Sequence, residues 1–100
     1  MPISAYIEGE DGAREGEPWW HARSTELLDR EHPGTCCLRF LDPYGDAVFN
    51  QAQLPVLLDE LRALRGRLHD AELVSVLDAV IAFVRRAEGQ IHTYVRFVGD

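Results

Sequence analysis

A chain of 100 residues has room for one hydrophobic core and no second, so a single domain over 1–100 is expected. It is 46% hydrophobic and 27% charged, and its 17 Asp and Glu outnumber 10 basic residues, all of them Arg, leaving a net charge of −7. That balance speaks against nucleic acid and membrane surfaces as partners, since both call for clustered basic side chains, and no window reaches the run of about 18 apolar residues that spans a bilayer.

From the start, Ile3, Ala5 and Ile7 alternate with Ser4, Tyr6 and Glu8, the period of a half-buried strand. The opening residues have neither the basic start nor the apolar run of a signal peptide. Residues 9–34 read as a variable acidic loop, Gly- and Glu-rich at first, with a short helix in it. Ser24 or Thr25 is a candidate cap for that helix, which runs through Leu27 and Leu28 to Glu31. The adjacent cysteines, Cys36 and Cys37, sit too close for ordinary disulfide geometry. Reduced thiols and a cytoplasmic setting are therefore expected.

Thr35 to Leu41 reads as a strand, Asp42-Pro43-Tyr44-Gly45 as a type I turn closed by a glycine at positive φ, and Ala47 to Phe49 as the returning strand. Asn50 and Gln53 have the spacing of a capping box, and Pro55 moves the true start of the following helix toward Gln53. Leu54, Leu57, Leu58, Leu61, Leu64 and Leu68 form its apolar stripe, and Gly66 suits a left-handed stop. Asp70 caps a second helix that ends at Glu88-Gly89. Its apolar residues cover about half the circumference, so it should lie between the sheet and the first helix. Ile91 to Val98 closes the chain as a strand. The expected fold is α+β: an antiparallel sheet of about four strands, in the order β-β-β-α-α-β, with a two-helix hairpin on one face.

If the helices cover Ile3, Ala5, Ile7, Leu38, Phe40, Val95 and Phe97, the opposite face carries Tyr6, Cys37, Arg39, His92, Tyr94 and Arg96. Such a face is either a solvated surface held by cross-strand packing or a binding surface, since Tyr and Arg are enriched where proteins meet. Trp19 and Trp20 join this candidate set, because two indoles are costly to leave in water. One of them sealing the core edge is the structural alternative.

His32, Cys36 and Cys37 lack the paired spacing of a zinc site, and Asp42 and Asp46 lack that of a calcium loop. Phosphate-binding and dinucleotide motifs, a nucleophile elbow and paired metal-binding histidines do not occur in the sequence. No catalytic residue, metal or cofactor is assigned. Asp42-Pro-Tyr-Gly-Asp-Ala-Val-Phe-Asn50, with Gln53 and the closing Tyr94-x-x-Phe97-x-Gly99-Asp100, resembles a group of small bacterial proteins of unknown function. The resemblance runs from about Cys37 to Asp100 and implies a shared fold, with no activity attached.

Together these readings point to a non-catalytic protein that binds protein, either itself as a homodimer or a basic partner, as a toxin-neutralising immunity protein does. The rival is a small anionic-ligand binder or minor enzyme built on Arg39, Arg96, Tyr94 and His92.

Overall fold

The computed structural model describes residues 2–28 and 32–99. The far end of the expected short helix, Glu31, and Asp100 of the closing motif lie outside the described residues. Four strands, β1 (Ser4–Gly9), β2 (Arg14–Trp20), β3 (Asp46–Phe49) and β4 (Thr93–Val98), make one antiparallel sheet in the order β2-β1-β4-β3. Three helices, α1 (Ser24–Leu28), α2 (Leu54–Arg65) and α3 (Ala71–Ala87), complete the α+β fold. The helices bury their apolar stripes against Ile3, Ala5, Ile7, Phe49, Val95 and Phe97, the inward positions of the sheet.

The helices start as their sequences dictate. Asn50 Oδ1 accepts the Gln53 N–H at 3.0 Å while Gln53 Oε1 accepts the Asn50 N–H at 2.9 Å, a reciprocal capping box. The regular helix begins at Leu54 with Pro55 in its opening positions, where a missing donor costs nothing. Asp70 Oδ1 accepts the N–H groups of Glu72 and Leu73 at the start of α3. The ends are less uniform. Gly89 takes φ 84° after α3, but Gly66 sits at φ −65°, so α2 leaves through a right-handed turn and not the expected left-handed stop.

The expected hairpin across Thr35–Phe49 is absent. Its returning half exists as β3, but Leu38–Phe40 is a single 3-10 turn. Cys37, Leu38 and Leu41 are buried while Phe40 is 56% exposed, a helical spacing that replaces the expected alternation. The cause lies outside the segment. The Glu60 carboxylate, on α2, accepts the N–H groups of Cys36, Cys37 and Leu38 at 2.5, 2.9 and 3.0 Å. Burial pushes the Glu60 carboxyl up, and those three donors outweigh it and hold it below its usual range. Asp42 forms the turn that follows, accepting the Tyr44 N–H on its side chain and the Gly45 N–H on its carbonyl. Gly45 itself is not at positive φ.

The second strand lies earlier, inside the expected acidic loop. Asp11 and Gly12 make the turn: Gly12 takes φ 83°, and Asp11 Oδ1 accepts the Ala13 N–H at 3.0 Å. β2 is a polar edge strand. Between its pairs Ala5–Trp19 and Ile7–Glu15, the three residues 16–18 face the single residue Tyr6, a bulge that includes Gly16 at φ 69° and Pro18. Ser24 Oγ accepts the Ile3 N–H at 2.8 Å and ties α1 to the start of β1.

Two further contacts lock the C-terminal strand. Gln51 Nε2 donates to the Ala87 and Thr93 carbonyls while its Oε1 accepts the Gly89 N–H, which fastens the α3–β4 connection to the start of α2. Gly99 donates to Gly45 O at 2.8 Å and lies so close to Asp42 and Pro43 that a Cβ there would overlap their backbone atoms. The two ends of the DPYGD…GD pattern therefore touch. β4 starts at Thr93, two residues later than expected. Ile91 is 81% exposed and His92 takes φ 58°, so neither belongs to the strand.

Candidate interaction face

Cross-strand register decides which side chains share the uncovered face. Reading across the sheet, Trp20 lies beside Ser4, Val98 and Asp46; Tyr6 beside Arg96 and Val48; Arg14 beside Glu8 and Tyr94. The alternate residues of the same strands form the core on the other side, and all three helices lie there.

The charges on this face neutralise one another. Glu8 is only 6% exposed although it faces away from the core, because two guanidinium groups cover it. Arg96 Nε donates to its Oε1 at 2.9 Å, and Arg14 Nε lies 3.5 Å from its Oε2. Arg96 also reaches Asp46 at 3.2 Å, and the Arg14 guanidinium rests 3.7 Å above the Tyr6 ring. Two carboxylates and two guanidinium groups thus balance in one chain of contacts. A guanidinium already paired with two carboxylates is a poor anion site, since an incoming anion meets their negative charge beside it.

Around that ionic centre the surface is apolar and aromatic. Trp20 is 61% exposed and Val48 43%, with Tyr6, Tyr94 and Val98 half-buried between them. At the end nearest the β1–β2 turn, Glu8, Glu10, Val48, Tyr94 and Arg96 line an open hollow of about 200 Å³. A second hollow, of about 260 Å³, lies on the other side of Tyr94 against Asn50, Gln51 and His92.

Of the residues expected on this face, Tyr6, Tyr94 and Arg96 are brought together, and Trp20 stands at the β2 end of the same surface. The others go elsewhere. Trp19 pairs with Ala5 and packs half-buried against the core, so one indole seals the edge and the other faces out. Arg39 sits on the 3-10 turn with its guanidinium 4.9 Å from the Phe40 ring, away from the sheet, because the strand expected to carry it is not formed. Cys37 is in the core, where burial pushes its thiol up, and Cys36 is exposed. His92 flanks the face just before β4, its Nδ1 3.3 Å from Glu10 Oε2.

Glu8, Arg14, Asp46, Val48 and Val98 belong to the face and were not in the expected set. The alternation that includes Tyr6 already places Glu8 with it, and Ala47–Phe49 alternation places Val48. Arg14 requires β2, which the Asp11-Gly12 pair signals as a hairpin turn. Among the described residues, no group of three or more His, Cys, Asp or Glu side chains is placed to hold a metal ion, and no helix is long and apolar enough to cross a membrane. No protein-family model, no curated protein and no solved structure matches the chain significantly.

Proposed function

We propose that this chain acts by binding a protein and not by catalysis, that the open sheet face is its contact surface, and that its role is that of an immunity-type inhibitor which neutralises a partner by covering it. One observation carries this reading. Five apolar or aromatic side chains, Tyr6, Trp20, Val48, Tyr94 and Val98, lie on a sheet face against which, among the described residues, no helix packs, around a set of charges already paired within the face.

Such a surface can be desolvated at low cost, because its buried carboxylate already has its counter-ions and its aromatic rings gain from leaving water. The sheet edges are poorer docking sites. β2 carries a bulge, Pro18 and two glutamates, and β3 is only four residues long, devices that discourage strand-to-strand addition. The anionic-ligand reading has less support: Arg39 is off the face, Arg96 is engaged twice, and the adjoining hollow is lined by two carboxylates.

The test compares the wild-type chain with the double variant Trp20→Ala, Tyr94→Ala. Light scattering across a concentration range reads self-association, and co-purification from the native host reads a hetero-partner. The expected result is that whichever association the wild type shows is lost in the variant, with the melting temperature within a few degrees of wild type. Association of equal strength in both proteins would remove the face from consideration.

A further inference from the structure

The open face is neutral at its centre but not at its rim, and this difference bears on what can sit there. Glu8 and Asp46 are matched by Arg14 and Arg96. Among the described residues neither Glu10 nor Asp11 in the adjoining turn is paired with an arginine, and Glu10 Oε2 lies 3.3 Å from His92 Nδ1. From Glu8 to Glu17 the chain carries five carboxylates against one arginine. The whole protein carries −7.

The hollow beside Tyr94 combines this excess charge with apolar walls. Val48 and Tyr94 line it together with Glu8, Glu10 and Arg96, and the Arg96 guanidinium is already paired with Glu8 and Asp46, which leaves Glu10 as the carboxylate without an arginine. At about 200 Å³ it takes one side chain and not a whole metabolite, since drug-sized ligands fill roughly 300 Å³ or more. A long cationic side chain matches both features: its methylene stem lies along Val48, while its head meets a carboxylate and the π-face of Tyr94. A second copy of this chain is a worse occupant, because it brings −7 toward −7. Nucleic acid and other polyanions are worse for the same reason.

Resting on the protein-binding reading above, we infer that the partner of the open face is a basic protein, and that it seats a lysine or arginine side chain in the hollow between Tyr94, Val48 and Glu10. Its approach is steered by the negative turn, so association slows as salt screens the charges, and the seated cation fixes the register of the complex.

The probe is the capped peptide acetyl-Ala-Arg-Ala-amide, titrated into the isotope-labelled full chain while amide resonances are followed, with the Ala-Glu-Ala peptide as control. The expected result is a saturable set of shifts centred on Gly9, Gly12, Val48 and Tyr94 with the arginine peptide only. It should weaken about 2–5-fold in Tyr94→Leu, which keeps an apolar wall but removes the ring face. Glu10→Gln should weaken it as well, and Glu72→Gln, at the start of α3 where Glu72 is paired with Arg23, should leave it unchanged. Shifts scattered over all acidic surfaces, equal binding of the glutamate peptide, or no loss in Tyr94→Leu and Glu10→Gln would overturn the basic partner. The face reading itself does not depend on that outcome. It stands or falls with the Trp20→Ala, Tyr94→Ala comparison, so the two failures are distinguishable.

Discussion

The two faces of the sheet are built from alternate residues of the same strands, yet they are held by different forces. On the covered face Ile3, Ala5, Ile7, Val95 and Phe97 are removed from water by the helices, and Phe97 meets Phe49 edge-on with ring centres 6.0 Å apart. On the open face the neighbouring positions are held by Glu8–Arg96–Asp46 contacts and by Arg14 lying on Tyr6. Packing supplies stability on one side. On the other, paired charges lie among aromatic side chains that the helices leave uncovered. The contrast shows how a chain this small can leave one face of its sheet uncovered: the covered face alone supplies the core.

Adjacent residues of β4 break this comparison most directly. Phe97→Ala removes a buried ring from the covered face and is expected to cost about 3–5 kcal/mol, read as a drop in the urea midpoint with little change in slope. Arg96→Ala, one residue earlier and facing out, strips the closest counter-ion from a nearly buried carboxylate. Its cost is expected at about 1–3 kcal/mol, with Arg14 retaining part of the pairing, and the same urea titration measures it. Equal losses for the two variants would mean that the open face is as much a core as the covered one.

Acid sharpens the comparison from outside the sheet. Asp70, bonded to Arg23 and to the first N–H groups of α3, has its carboxyl held down at about 2, against an ordinary 3.8. A depressed folded value means that its contribution is present above the unfolded value and is lost as pH falls through the folded one. Melting temperature should therefore decline between about pH 4 and pH 2, and Asp70→Asn should flatten that part of the profile. Because Asp70 and Arg23 are at the surface, the effect is modest and is reduced by salt. The smallest stability effect is expected at the most exposed aromatic of the open face. Trp20→Ala should change unfolding free energy by no more than about 0.5 kcal/mol, because most of its ring is already in water. A loss of 2 kcal/mol or more would make Trp20 part of the core and remove it from the interaction face.

Much of the architecture was legible because it follows from short-range pattern. Asn50 and Gln53 announced a capping box that forms with both hydrogen bonds, and Asp70 announced the start of α3. Leu54, Leu57, Leu58, Leu61 and Leu64 of the leucine stripe are buried as their spacing implies, while Leu68 lies beyond the end of α2 and is only partly buried. Three residues of the candidate site, Tyr6, Tyr94 and Arg96, came from period-two alternation in strands whose inner residues are strongly apolar. Trp20 was singled out for its cost in water, but its partition from Trp19 needed the register with Ala5. β2 was illegible by the same test, since an edge strand reading Arg-Glu-Gly-Glu-Pro-Trp-Trp buries almost nothing and shows no alternation.

The sequence by itself determined α2 and α3 and their N-terminal caps, the first strand, most of the last strand and the acidic character of the chain, because each depends on residues within a few positions of one another. Only the tertiary structure decided the second strand, the sheet order and the conformation of residues 35–41. A polar segment becomes β2 because β1 offers its backbone donors and acceptors. An alternating segment becomes a 3-10 turn because a carboxylate 22–24 residues away takes up its N–H groups. Hydrogen-bond partners at that distance carry no local signature, and they are what removed Arg39 from the face, whereas Arg14 comes onto it through the β1–β2 turn and its pairing with Glu8.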